Sequence, residues 1–161
     1  MATIYVGVGE YAVSKNPDDV VKTLALGSCV GVIMLAPESK AVGLLHVALP
    51  DSSISKKRVA ERPGMFADTG IPLLIKEMKK LGYNGNGKLI VKLAGGAAIM
   101  DPNNTFNIGK RNLLAVKKIL WQYKLGSRNE HIGDSISRTV TVNVDTGKVM
   151  LSSPGRGEWE L

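Results

Sequence analysis

Only one cysteine, Cys29, occurs in the 161 residues. A single thiol forms neither an internal disulfide nor a multi-thiolate zinc centre, and two histidines do not make up the missing ligands. Aromatic side chains are scarce: two Phe, two Trp and four Tyr, 5% of the chain. They do not alternate with basic residues as stacking platforms for bases do, which argues against a nucleic-acid partner despite the net charge of +7. No uninterrupted apolar stretch approaches the ~20 residues of a bilayer-spanning helix, so no membrane insertion is expected. Residues 1–7 hold no basic leader followed by an apolar block, so no signal peptide is expected either. A free thiol without an export signal implies a reducing, cytoplasmic setting. Internal repeats and low-complexity tracts are missing too. Gly95-Gly96-Ala97-Ala98 has neither the dinucleotide glycine fingerprint nor a P-loop ending, and reads as close backbone packing. Asp51, Asp68 and Asp101 have no spacing that pairs them for metal binding or glycoside hydrolysis. Neither metal nor cofactor is expected.

The apolar content, 44%, is that of a globular protein long enough to bury a sizeable core. Residues 1–161 read as one domain, with 153–161 as a loose tail rich in Gly, Pro and Glu. Short runs rich in β-branched residues at 4–9, 20–26, 29–35 and 41–49 predict strands, separated by turn-forming clusters. Polar residues 51–63 read as a mobile loop. Leu74, Met78 and Leu81 recur at helical spacing after the capping candidates Asp68 and Thr69, with Pro72 in the first turn and Gly82 as the stop. The turn Asn84-Gly85-Asn86-Gly87 precedes a strand at 88–93, and a second helix follows over 108–123 with Leu113, Val116, Leu120 and Tyr123 on one stripe. A hairpin closes the chain, 138–144 and 148–152 around Asp145-Thr146-Gly147. Clustered strands with two helices predict an α+β fold: a mostly antiparallel sheet or sandwich with helices packed outside.

Chemistry concentrates in Thr23-Leu24-Ala25-Leu26-Gly27-Ser28-Cys29-Val30 and in His46 within the apolar run 42–50. A thiol and an imidazole are the minimum equipment for cysteine acyl transfer. Two readings stand side by side at each position. Cys29 is either a small buried hydrophobe or a nucleophile held partly as thiolate. His46 is either a satisfied core histidine or the base, and Thr23 either an ordinary strand residue or the group orienting the imidazole. Gly27-Ser28 favours the chemical reading, because a sharp turn there presents Cys29 at a strand end and lets backbone N–H groups converge on an oxyanion. Thr23 and Cys29 are roughly 20 Å apart if extended, so both reach one histidine only if the chain doubles back at Gly27-Ser28. His131 has no partner motif and reads as a surface residue. The basic clusters at 56–58 and 79–80 read as solvated surface.

Those two segments closely resemble the signature of the CheD family, the chemoreceptor glutamine deamidases. Further matches run in order through Gly7-Val8-Gly9-Glu10, Phe66-Ala67-Asp68-Thr69, Lys92-Leu93-Ala94-Gly95-Gly96-Ala97, Asn107-Ile108-Gly109-Lys110-Arg111-Asn112, Arg138-Thr139-Val140 and Thr146-Gly147. Ala25 stands where the family usually has glycine. The resemblance implies a layered α/β/β fold around a β-sandwich, similar to a toxin domain that deamidates glutamine in small GTPases. It implies hydrolysis of receptor glutamine side-chain amides to glutamate, in some members also of glutamyl methyl esters, with Cys29, His46 and Thr23 as the catalytic set. A CheC-type phosphatase is the partner implied, and a non-catalytic regulator of that phosphatase is the alternative function. The positive net charge suits docking on acidic receptor helices.

Overall fold

Ten strands and three α-helices form among the residues described by the computed structural model, which are 2–85, 87–99 and 106–161. The first half holds β1 (Ala2–Tyr5), β2 (Tyr11–Ser14), β3 (Asp19–Leu26), β4 (Val30–Ala36), β5 (Ala41–Val47), α1 (Lys56–Glu61) and α2 (Ala67–Lys80). The second half holds β6 (Ile90–Gly95), α3 (Ile108–Gln122), β7 (Ser127–Ile132), β8 (Arg138–Asn143), β9 (Val149–Ser153) and β10 (Gly157–Glu160). Asn86 and Asp101 lie outside the described residues.

The strands form two sheets, ordered β1-β3-β8-β9-β10 and β2-β5-β4-β6-β7. Pairing is antiparallel except between β1 and β3 and between β6 and β7. Every residue of β4 is buried, which explains its unbroken apolar run: both of its faces are covered. Ile33 and Leu35 join Val21, Leu26, Val140 and Val142 in the core between the sheets. Val32 and Met34 pack on the other side with Ile71, Leu74 and Met78 of α2 and Val116 and Leu120 of α3. This is the expected α+β sandwich, with helices, sheet and sheet stacked as layers. Fully burying a side chain such as Leu74 or Ile71 contributes about 1.5–3 kcal/mol, so the stripe of α2 is what fixes the helix layer to the sheet.

Several local expectations are corrected. Residues 153–161 are not a loose tail: β10 pairs with β9, and Trp159 packs against the inter-sheet core. Within the expected loop, Ser55 accepts from the Arg58 N–H and caps α1, a helix that buries none of its residues. Helix α2 begins at Ala67, one residue after Phe66, so Pro72 falls inside it rather than in its first turn. Asp68 does not cap the helix; its carboxylate accepts from the Ser52 N–H at 3.0 Å and the Ser52 hydroxyl at 2.6 Å, fastening the preceding turn. Tyr123 is exposed at the end of α3.

Candidate active site

The site is built where the chain passes from one sheet to the other. Strand β3 lies in the first sheet and β4 in the second, and residues 27–29 connect them. The doubling back required for Thr23 and Cys29 to meet one histidine therefore takes place across the sandwich, not between paired neighbours. A register shift between Thr23 and Leu26 prepares it. Val21 and Thr23 point inward, Leu24 and Ala25 outward, and Leu26 inward again, as an inserted residue requires. Ala25 takes the strained left-handed conformation, φ 49°, where glycine would sit without cost.

Thr23 and His46, from opposite sheets, meet between them. Thr23 Oγ1 lies 2.6 Å from the Val6 carbonyl oxygen and 2.8 Å from His46 Nδ1. A carbonyl only accepts, so the single hydroxyl proton of Thr23 goes to Val6, and the hydroxyl must accept from His46. The imidazole is thereby fixed as the Nδ1–H tautomer. Its Nε2 keeps a lone pair, is buried, and has no hydrogen-bond partner among the described residues. Burial pushes the His46 pKa down to about 4, against a smaller opposing effect of the Glu10 carboxylate.

Cys29 shares a sheet face with His46. Gly31 lies directly across from His46 in the β4–β5 ladder, and Cys29 is two residues earlier, so its side chain takes the same face. Continuing that register makes Cys29 and His46 diagonal neighbours, roughly 7–8 Å apart at Cα. Cys29 is half-buried against the inter-sheet core. Burial pushes its thiol upward, which corrects the expectation of a thiolate at neutral pH. The resting pair is a neutral thiol beside a neutral imidazole.

The turn carrying Cys29 is held entirely by its carbonyls. Gly27 O accepts from Ala97 N–H at 2.9 Å, Cys29 O from Gly96 N–H at 2.8 Å, and Ser28 O from Asn112 Nδ2 at 3.0 Å. Among the described residues, the N–H groups of Gly27, Ser28 and Cys29 donate to nothing. Glycines make this proximity possible. A Cβ on Gly95, at φ 106°, would stand 2.2 Å from Cys29 O, and one on Gly109 would stand 2.5 Å from Gly96 O. The Gly95-Gly96 pair is close backbone packing, as its sequence indicates. Beside the turn lies a cavity of about 730 Å³, lined by Gly27, Ser28, Phe106 and Ile108 among others.

Two groups escaped the sequence reading. Val6 contributes only a carbonyl, and a backbone atom leaves no mark in the side-chain pattern. Asn112 did leave one: it stands four residues before Val116 and eight before Leu120 on the buried stripe of α3, where a polar amide interrupts an apolar face. His131 is not a simple surface residue, since its Nδ1 accepts from Nε of the fully buried Arg138 at 2.7 Å and its ring packs on Trp159 at 4.9 Å. Among the described residues no three His, Cys, Asp or Glu side chains cluster to hold a metal. None of their helices is long and apolar enough to cross a membrane.

Comparison with known proteins identifies the family. The CheD family model, described as chemotactic sensory transduction, matches residues 48–153. A probable chemoreceptor glutamine deamidase CheD of Syntrophotalea carbinolica is 54% identical over 162 residues, covering 100% of both chains. A second probable deamidase of that name, from Syntrophus aciditrophicus, is 43% identical over 96% of each chain. The chemoreceptor glutamine deamidase CheD of Thermotoga maritima is 42% identical over 95% of this chain and 93% of its own. The family model begins beyond Cys29 and His46, whereas the relatives align across both, and together they establish that this chain belongs to the CheD family.

Proposed function

We propose that this chain is a chemoreceptor glutamine deamidase of bacterial or archaeal chemotaxis, acting through Cys29, His46 and Thr23. The observation that carries the reading is the locked tautomer of His46. A buried Nε2 with a lone pair and no partner, on the face it shares with the only thiol, is a general base with a single available substrate proton. A core histidine kept for packing would have its second nitrogen satisfied.

Reaction starts from the neutral pair. As Cys29 Sγ attacks the glutamine side-chain carbonyl carbon, its proton passes to His46 Nε2, and the carbonyl π-electrons move onto oxygen. The resulting oxyanion is held by the unpartnered amides of the turn at Gly27, Ser28 and Cys29. Collapse breaks the carbon–nitrogen bond, and His46 returns the proton so that ammonia departs. Water then attacks the thioester while His46 removes its proton, releasing glutamate and restoring the thiol. Glutamyl methyl esters would enter by the same thioester with methanol leaving. Thr23 accepts from Nδ1–H throughout and steadies the imidazolium that forms transiently.

Exposed apolar side chains lining the cavity beside the turn, Phe106 at 65% and Ile108 at 39% exposure, favour a protein substrate over a free amino acid. The net charge of +7 favours an acidic one, such as a receptor helix or a CheC-type phosphatase. The test is mass spectrometry of receptor peptides before and after incubation, with ammonia measured in parallel. Wild-type protein converts particular glutamines to glutamate, and Cys29→Ala does not. Full activity in Cys29→Ala ends the proposal. Loss of deamidation with phosphatase stimulation intact separates catalysis from partner binding, and wild-type protein that stimulates the phosphatase without deamidating supports the regulator instead.

A further inference from the structure

Asn112 is fully buried on α3, and its side chain does something no apolar residue in that stripe could do. Nδ2 donates to Ser28 O and to Ala48 O, each at 3.0 Å. Both neighbours are carbonyls, which only accept, so the amide is oriented with its nitrogen toward them. One group thus straps the residue before Cys29 to the residue two beyond His46. The amide oxygen, Oδ1, is left buried with no partner among the described residues. The amide satisfies two carbonyls at the expense of one stranded oxygen, so what asparagine adds over an apolar residue in this stripe is a fixed grip on the turn before Cys29.

The consequence runs through the peptide plane. All peptide bonds among the described residues are trans, so the Ser28 carbonyl and the Cys29 N–H lie in one plane and point in opposite directions. Gripping Ser28 O from α3 aims the Cys29 N–H away from α3. The Cys29 side chain lies on that same side, since it packs against the inter-sheet cluster and not the helix layer. Thiol and unpartnered amide therefore face one region. The neighbouring Ser28 N–H is aimed by a backbone bond, Ala97 N–H to Gly27 O at 2.9 Å, leaving Asn112 as the side chain that sets this turn.

We infer that Asn112 is a positioning residue that, by holding Ser28 O, orients the Cys29 N–H as an oxyanion donor for amide hydrolysis. The inference rests on the reading of Cys29 as the nucleophile. Its test compares two reactions of the same thiol. Alkylation of Cys29 by iodoacetamide displaces iodide at a saturated carbon and forms no oxyanion; hydrolysis of a receptor glutamine peptide forms one. In Asn112→Leu, folded as judged by circular dichroism, kcat for the peptide falls roughly 10–100-fold. KM and the alkylation rate from pH 7 to pH 10 stay within about twofold of wild type. Unchanged kcat overturns the inference, and so does a parallel fall of kcat and alkylation, which would mean that Asn112 merely holds Cys29 in place. Should the leucine variant fail to fold, the same two rates are read on Asn112→Ser, whose smaller side chain enters without a clash. Cys29→Ala is run beside them: activity surviving there defeats the nucleophile itself, whereas activity lost there but kept in the Asn112 variants defeats only the positioning role.

Discussion

Replacing Thr23 by valine removes one oxygen and tests the whole arrangement. The site is fully buried, and valine keeps the branched shape, so the perturbation is the loss of two hydrogen bonds. Val6 O and His46 Nδ1 are stranded at ~1–3 kcal/mol each, offset by roughly 1 kcal/mol for the methyl that replaces the hydroxyl, for a net loss near 3 kcal/mol. Urea denaturation reads that number. The catalytic effect has a different origin. In the proposed mechanism His46 becomes a cation as it takes the thiol proton, and a hydrogen bond to a charged group is worth about 1.5–3 kcal/mol. The neutral bond is already present at rest, so losing it raises the barrier only by the excess, roughly 1–1.5 kcal/mol, which lowers kcat roughly 5–13-fold.

The variant also frees the imidazole to adopt its other tautomer, in which Nε2 carries the hydrogen and accepts nothing from Cys29. Both effects act on kcat and leave KM nearly unchanged, because Thr23 touches no substrate. Thr23→Ser retains the hydroxyl and should restore most of the rate while remaining less stable, having lost a buried methyl. The assay is ammonia release from a glutamine-containing receptor peptide over a range of concentrations. A folded Thr23→Val protein with wild-type kcat would refute the locked tautomer, since no other group among the described residues bonds His46 Nδ1–H.

Acid should act on this protein through His46. Its folded pKa of about 4 lies below the ordinary 6.5, so between those values the unfolded chain binds a proton that the folded one refuses. Stability therefore falls as pH drops from 6.5 to about 4, by roughly 3 kcal/mol in all, and levels off below that; His46→Gln should remove this part of the pH dependence in urea titrations, and an unchanged profile would count against it. Activity should persist below pH 6 and fail as Nε2 protonates near pH 4, a limb visible in kcat/KM. Gly95→Ala brings a Cβ to 2.2 Å from Cys29 O at φ 106°, and crowding plus backbone strain cost about 2–6 kcal/mol. Gly126→Ala meets nothing within 4 Å and should leave Tm unchanged or slightly raised, which makes it the matched control.

The elements that sequence pattern locates are those with one-sided or two-sided burial. Strands β3 to β5 and helices α2 and α3 present apolar residues at the periods their geometry demands, and their cores are the two observed clusters. The elements it misses have no such face. Helix α1 buries nothing, β7 reads Ser127–Ile132 with mostly charged and polar side chains at a sheet edge, and β10 has one half-buried residue pattern, Trp159, in four. Their existence depends on hydrogen bonds offered by a neighbour already in place. Pairing is what makes them strands, and pairing is invisible in composition.

The site divides along the same line. Cys29, His46 and Thr23 are visible because their side chains are rare or ordered along the chain, and the turn between them is announced by Gly27-Ser28. What the sequence misjudges is their charge state, because protonation answers to burial and burial is a tertiary property. In a solvated turn, Cys29 beside a histidine would tend toward a thiolate–imidazolium pair. Enclosed between two sheets, both partners are pushed toward neutrality, the thiol upward and the imidazole down to about 4. A neutral pair keeps the buried face free of charge until an amide arrives. In the proposed mechanism the ion pair forms only as the thiol attacks, so alkylation of Cys29 should rise with pH into the alkaline range instead of reaching its plateau near neutrality. A plateau below pH 7 would show a resting thiolate and overturn the neutral-pair description.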